Sequence, residues 1–153
     1  MFLLDTNHCS ALMRGEPAIH RRILELNETL VAISVIAVGE LYYMAHRSER
    51  LTGNLAEVET FLARIPTYDV DGDVARVYGD IRAALFKRFG PKERAKRRHT
   101  TISQLGFDDN DLWVAAIAIL HDLTVATDDD DFARIAEVTD LRHESWLTLS
   151  GAA

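Results

Sequence analysis

One stretch of this 153-residue chain restricts its possible folds more than any other: Asp108 to Phe132, DDNDLWVAAIAILHDLTVATDDDDF. Leu112 to Leu120 is apolar nearly all round, which predicts a buried helix rather than an amphipathic surface one. Asp109 and Asp111 fall at the front of that helix, where the macrodipole favours negative charge. Leu123 to Thr127 has the β-branched content of a short buried strand. Four consecutive aspartates, Asp128 to Asp131, begin where this strand ends. In open parallel α/β sheets ligands bind outside the carboxyl ends of the strands, so a helix start and a strand end deliver carboxylates toward one place. Each cluster also has a plain structural reading. Asp108 or Asp109 is a natural helix N-cap, and an aspartate run is a natural solvated turn.

Composition narrows the class. The length suits one domain, over about residues 1–150, with a substantial core. A single cysteine, Cys9, excludes an intrachain disulfide framework and a multi-cysteine zinc site. No apolar run reaches the roughly 18 residues of a membrane span. The opening MFLLDTN places Asp5 where a secretory signal needs basic and then apolar residues, so a cytoplasmic location is expected. The net charge of -7 argues against nucleic-acid binding through overall charge, although the distribution of charge matters more than its sum.

From the beginning, Phe2 to Leu4 is a strand candidate with Asp5 at its end, and Thr6 and Asn7 can start a helix. Pro17 suits the first turn of a second helix reaching about Leu26. Thr29 to Ile33 reads as a strand, and Ser34 as the cap of a helix from Val35 to about His46. Glu40 lies on that helix four residues from both Ile36 and Met44. A carboxylate on an apolar face is costly to bury unless paired or metal-bound; the alternative is that it points to solvent or meets an arginine. Further helices fit Leu51 to Ile65, ended by Pro66, and a segment capped by Asp71 or Asp73 that runs to Phe89 and breaks at Gly90-Pro91. Thr67 to Val70 is a short strand between them. Phe132 to Val138 reads as a short helix and Leu141 to Trp146 as a last edge strand. This alternation predicts a three-layer α/β/α fold with a mainly parallel sheet of four to five strands.

One basic stretch stands out in the acidic chain. Lys87, Arg88, Lys92, Arg94, Lys96, Arg97 and Arg98 lead through a predicted loop at Thr100 to Gly106 into the acidic cluster. It is either a grip on a phosphate backbone or a solvated loop.

Four motifs in order, LLDTN at Leu3 to Asn7, VGEL at Val38 to Leu41, NDLWVAA at Asn110 to Ala116 and LTVATDDDDF at Leu123 to Phe132, resemble the PIN-domain family. Within it they are most similar to the VapC-type ribonuclease toxins of prokaryotic toxin–antitoxin pairs. The resemblance implies a metal-binding acidic pocket at the strand ends, with Asp5, Glu40 and Asp111 as three of its acids. The family pattern Thr-x-Asp-x-Asp-Phe, anchored by Thr127 and Phe132, implies Asp129 as the fourth and Asp131 beside it, with Asp128 or Asp130 as substitutes after a small loop shift. Thr6, Asn7 and Thr127 match supporting positions. The resemblance further implies endonucleolytic hydrolysis of RNA to a 5′-phosphate and a 3′-hydroxyl, a VapB-like antitoxin over the groove, and a homodimer. Exposed apolar side chains between Val35 and Ile65 are the candidates for these protein contacts. The connector from Gly90 to Gly106 is longer than is usual in the family.

The residue chemistry agrees with a metal. Four or five carboxylates in one pocket cannot all stay ionised without counter-charge, and Mg²⁺ or Mn²⁺ suits an all-oxygen ligand set. No histidine base is needed, so His8, His46, His99 and His121 read as structural or exposed. Two other readings stand beside this one. Asp5 as an aspartyl-phosphate nucleophile is disfavoured by Asn7, since such sites commonly carry a second aspartate at that spacing. A PIN-like scaffold that binds RNA or protein without cutting is the other. An EF-hand reading of Asp128 to Asp131 fails for want of the loop glycine and distal glutamate.

Overall fold

Short apolar strands alternating with helices leave the backbone one economical solution, a parallel sheet whose crossovers cover both faces. The computed structural model, which describes residues 1–26 and 31–147, has this form. Its strands are β1 (Phe2–Leu4), β2 (Val31–Ser34), β3 (Thr67–Tyr68), β4 (Thr124–Ala126) and β5 (Arg142–Glu144). They form one five-stranded sheet in the order β3-β2-β1-β4-β5, with every pairing parallel. The central strand, β1, pairs Leu4 with Ile33 on one side and with Ala126 on the other.

Strand alternation divides the core between the two faces. Leu3, Ala32 and Val125 point to one side, where they meet α5 (Gly72–Phe89) and α7 (Asp109–Leu120) through Ile81, Leu85, Leu112 and Ile117. Leu4, Ile33 and Ala126 point to the other, toward α1 (Thr6–Met13), α2 (Pro17–Leu26), α3 (Val35–His46) and α4 (Leu51–Leu62). The near-uniform hydrophobicity of α7 is explained by its position between the sheet and α5. Ala115, Ala116 and Ala118 are buried there, and small side chains let the helix lie close to its neighbours. Tyr78 of α5 stacks on Trp113 of α7, centroids 3.8 Å apart and planes 8° from parallel.

The structure departs from the sequence reading mainly at boundaries. The second strand is described from Val31; Thr29 and Leu30 lie outside the described residues. α4 stops at Leu62 and β3 spans only two residues. The last strand ends at Glu144 because the chain then turns inward and buries Trp146 against Phe2 and His8. The basic connector is not a loop throughout. It contains α6 (Arg94–Arg97) and a 3-10 turn at Ser103–Leu105. Arg97 donates to the Pro91 carbonyl, Thr100 to the Lys96 carbonyl, and Thr101 and Gln104 bond each other. Buried Ile102 and Phe107 pin the segment to the core. A last helix, α8 (Asp130–Ala136), joins β4 to β5. Among the described residues no helix is long and apolar enough to cross a membrane.

Candidate metal centre

The parallel register of β1 and β4 brings Asp5 and Thr127 side by side just beyond Leu4 and Ala126, and the Asp5 amide donates to the Ala126 carbonyl at 3.1 Å. Helix starts then hold the acids. Asp5 caps α1 by accepting from the His8 amide at 2.7 Å. Asp108 caps α7 by accepting from the Asn110 amide at 2.8 Å. Asp129 caps α8 by accepting from the Asp131 amide at 2.9 Å, while its own amide donates to buried Thr127 Oγ1 at 3.0 Å. Asp5, Asp108 and Asp129 therefore each serve as a helix N-cap. Each helix N-terminus orients the acid it stabilises.

Asp5, Glu40, Asp108, Asp111, Asp129 and Asp131 line one open cleft of about 350 Å³. Asp111, Asp129 and Asp131 each offer an oxygen within 4.8 Å of the others. Asp5 and Glu40 line the cleft without joining that tight group. Both Glu40 oxygens are held, one by the Thr6 hydroxyl and the other by the Asn110 side-chain Nδ2 at 2.8 Å. Asn7 also lines the cleft. Of the aspartate run, Asp129 and Asp131 face the cleft. Asp128 bonds the Ser145 hydroxyl instead, and exposed Asp130 lies outside the lining.

Burial pushes the Asp111 carboxyl up to about 7, helped by the negative charges of Asp129, Asp108, Asp131 and Glu40. A group so placed lacks a counter-charge. The donor set is wholly carboxylate oxygen and one member resists ionisation, which fits a hard divalent cation of the Mg²⁺ or Mn²⁺ type.

Several participants are invisible in the sequence. Buried His8 places Nδ1 2.9 Å from Asp5 Oδ1, while its Nε2 accepts the Trp146 amide at 3.4 Å. Nδ1 therefore faces the Asp5 carboxylate from within the core. Arg134 of α8 bonds Asp131 and the carbonyls of Leu105 and Gly106, each at 3.0 Å, and covers the Phe107 ring at 3.9 Å. Arg47, following α3, is the cation among the cleft-lining residues. No spacing rule marks these side chains, since each reaches the cleft through tertiary packing. Conversely, none of Lys87, Arg88, Lys92, Arg94, Lys96, Arg97 or Arg98 lines the cleft.

A parallel sheet with an acidic cleft at its strand ends defines a class of protein. This chain belongs to the PIN domain family, whose model matches residues 2–138. Among curated relatives it is 38% identical over 90 residues to the tRNA(fMet)-specific endonuclease VapC of Shigella flexneri, spanning 59% of this chain and 68% of that protein. It is 28% identical over 148 residues to Ribonuclease VapC2 of Rickettsia felis, spanning 95% and 98% of the two chains. Among solved structures, the DNA-bound VapBC of Salmonella typhimurium superposes with a TM-score of 0.73 at 31% identity, covering 95% of this chain and 97% of that one. The resemblance read from the four sequence motifs is the one these comparisons return.

Proposed function

We propose that this chain is a metal-dependent endoribonuclease and the toxin of a toxin–antitoxin pair, acting as one unit over about residues 1–150. The observation that carries the reading is the convergence of Asp111, Asp129 and Asp131 in a cleft also lined by Asp5 and Glu40. Asp111, Asp129 and Asp131 would hold Mg²⁺ or Mn²⁺, with Asp5 and Glu40 binding directly or through water. When bound, the ion supplies counter-charge and Lewis-acid activation for phosphodiester hydrolysis. The protein's own groups do the rest. His8 fixes the Asp5 carboxylate, Thr6 and Asn110 fix Glu40, and Thr127 shapes the turn that presents Asp129. Arg47 gives the scissile phosphate a cation at the cleft wall, and the products are a 5′-phosphate and a 3′-hydroxyl. The names of the relatives support ribonuclease action, and the VapBC structures support a partner antitoxin. Tyr43 and Met44, exposed on α3 and lining the cleft, are the apolar surface such an antitoxin or a second copy would cover.

Purified protein mixed with total cellular RNA in Mg²⁺, Mn²⁺ or chelator, beside the Asp129→Asn and Asp5→Asn variants, tests this reading. Cuts that need metal and disappear in both folded variants are expected, and end-sequencing then identifies the target. No cutting together with no metal uptake would replace the nuclease with a binding scaffold.

A further inference from the structure

An acidic cleft in a chain of net charge -7 repels the polyanion it is proposed to cut. Attraction for RNA has to come from concentrated positive charge beside the cleft. The described residues hold such a place. A groove of about 360 Å³ between α5 and α6 is lined by Arg82, Arg94, Arg97 and Arg98, together with Thr100 and half-buried Phe86. Among the described residues no carboxylate pairs with Arg94, Arg97 or Arg98. Other members of the basic stretch are placed differently. Arg88 pairs with Glu137 at 3.6 Å, Lys96 pairs with Glu93 at 3.0 Å, and Lys87 and Lys92 do not line the groove.

The groove connects to the cleft through one helix start. Arg82 lies 4.0 Å from Asp109 and bonds the Tyr78 hydroxyl at 2.8 Å, and that hydroxyl donates to Asp109 at 2.6 Å. Asp109 and Asp111 are two residues apart on α7, so they face roughly opposite sides of the helix. One side meets the arginines and the other meets the acidic cluster. Arg82, at the edge of the groove, is therefore about one helix diameter, roughly 10–12 Å, from the acidic cluster.

We propose that this arginine groove binds the phosphodiester backbone of single-stranded RNA and feeds it across the start of α7 into the acidic cleft. The assignment rests on the nuclease reading above. Guanidinium forks suit bidentate contact with phosphate oxygens, and Phe86 offers an apolar floor on which a base can lie. The seven basic residues of the stretch from Lys87 to Arg98 thereby divide. Arg94, Arg97 and Arg98 join Arg82 in the groove, while Lys87, Arg88, Lys92 and Lys96 lie outside it.

The test is fluorescence anisotropy of a labelled single-stranded RNA with the full chain, in chelator so that nothing is cut. The variants are R94E/R97E/R98E and the charge-matched K87E/K92E/K96E. The groove variant is expected to bind at least about tenfold more weakly, with the slope of log K against log salt reduced by about 2, near 0.7 per lost contact on a single strand. The lysine variant is expected to stay within about threefold of the native protein. Equal losses in both variants would mean diffuse charge and overturn the proposal, as would native binding by R94E/R97E/R98E. Retained RNA binding with loss of poly-glutamate binding would also overturn it, by making the groove a protein-docking site. Single Arg94→Ala and Arg98→Ala variants, each lowering the slope by about 0.7, give the same answer if a triple variant fails to fold. In metal, the groove variant should raise KM and leave kcat within about twofold. Binding in chelator does not depend on cleavage, so absence of both cutting and metal uptake by the native protein would sink the nuclease reading and leave the groove result intact.

Discussion

Asp111 carries the electrostatic stress of the cleft. Its carboxyl is raised from 3.8 to about 7 by burial first and neighbouring acids second. The folded state therefore binds this proton more tightly than the unfolded chain does. Between roughly pH 4 and pH 7 the unfolded chain has released it and the folded state has not, so this group's contribution to stability falls as pH rises across that window. Metal-free protein should melt at progressively lower temperature from pH 5 to pH 8, and Asp111→Asn should flatten that slope. A variant that kept the full slope would place its origin elsewhere. Metal uptake by the native protein should also release a proton below pH 7, visible as a buffer-dependent binding enthalpy.

His8 allows a second test at the same scale. Asn retains a donor close to the position of Nδ1, whereas Leu fills the space and leaves Asp5 only its backbone donor. Calorimetric Mn²⁺ affinity should fall about 10–100-fold in His8→Leu, as is usual when the partner of a ligand is lost, and by much less in His8→Asn. Equal affinities would show that Asp5 needs no orienting. Legibility in the sequence divides along the same line. Asp5, Glu40, Asp111 and the Asp129–Asp131 pair lie in the motifs that resemble the PIN-domain family, and it was that resemblance that implied their meeting in one cleft. The roles of His8, Arg47, Asn110 and Arg134 were not foreseeable, because what matters about each is its neighbour across the fold.

At the scale of elements, capping residues and apolar periodicity located the helices well. Ser34 and Asp71 cap as their sequence context predicts. Strand lengths were overread, since apolar residues continue past the last ladder hydrogen bond wherever the core continues, as at Trp146. The segment before α7 is irregular apart from one 3-10 turn, as its composition predicts, and part of its anchoring comes from α8. Arg134 holds it by two carbonyls and one ring. Lys in that position keeps the charge and loses the planar fork. Arg134→Lys should cost about 1–2 kcal/mol, read as a lower urea midpoint at unchanged m, with faster amide exchange concentrated in residues 103–107. Loss of stability without that local signature would mean that Arg134 does not tether the connector.

Across the whole molecule, the acids of the cleft come from segments as distant as Asp5 and Asp131. A cation binding them ties together the beginnings of α1, α7 and α8 and the middle of α3. Because it binds the folded chain and not the scattered acids of the unfolded one, metal at about 100 times its Kd should stabilise by about 2.7 kcal/mol. Differential scanning calorimetry should therefore show a melting temperature that rises with Mg²⁺ or Mn²⁺ and returns to baseline in chelator. Asp111→Asn should abolish the rise. A rise that survived that substitution would place the ion elsewhere.

The sheet order also sets a timetable. β1 precedes the other described strands in the chain, yet one of its two neighbours is β4, with its partners at Thr124–Ala126. The aspartates of α8 come later still. Until residue 131 has emerged, a nascent chain carries Asp5, Glu40, Asp108 and Asp111 without the Asp129 and Asp131 that complete the cluster. The complete acidic cleft therefore exists only in a nearly finished chain.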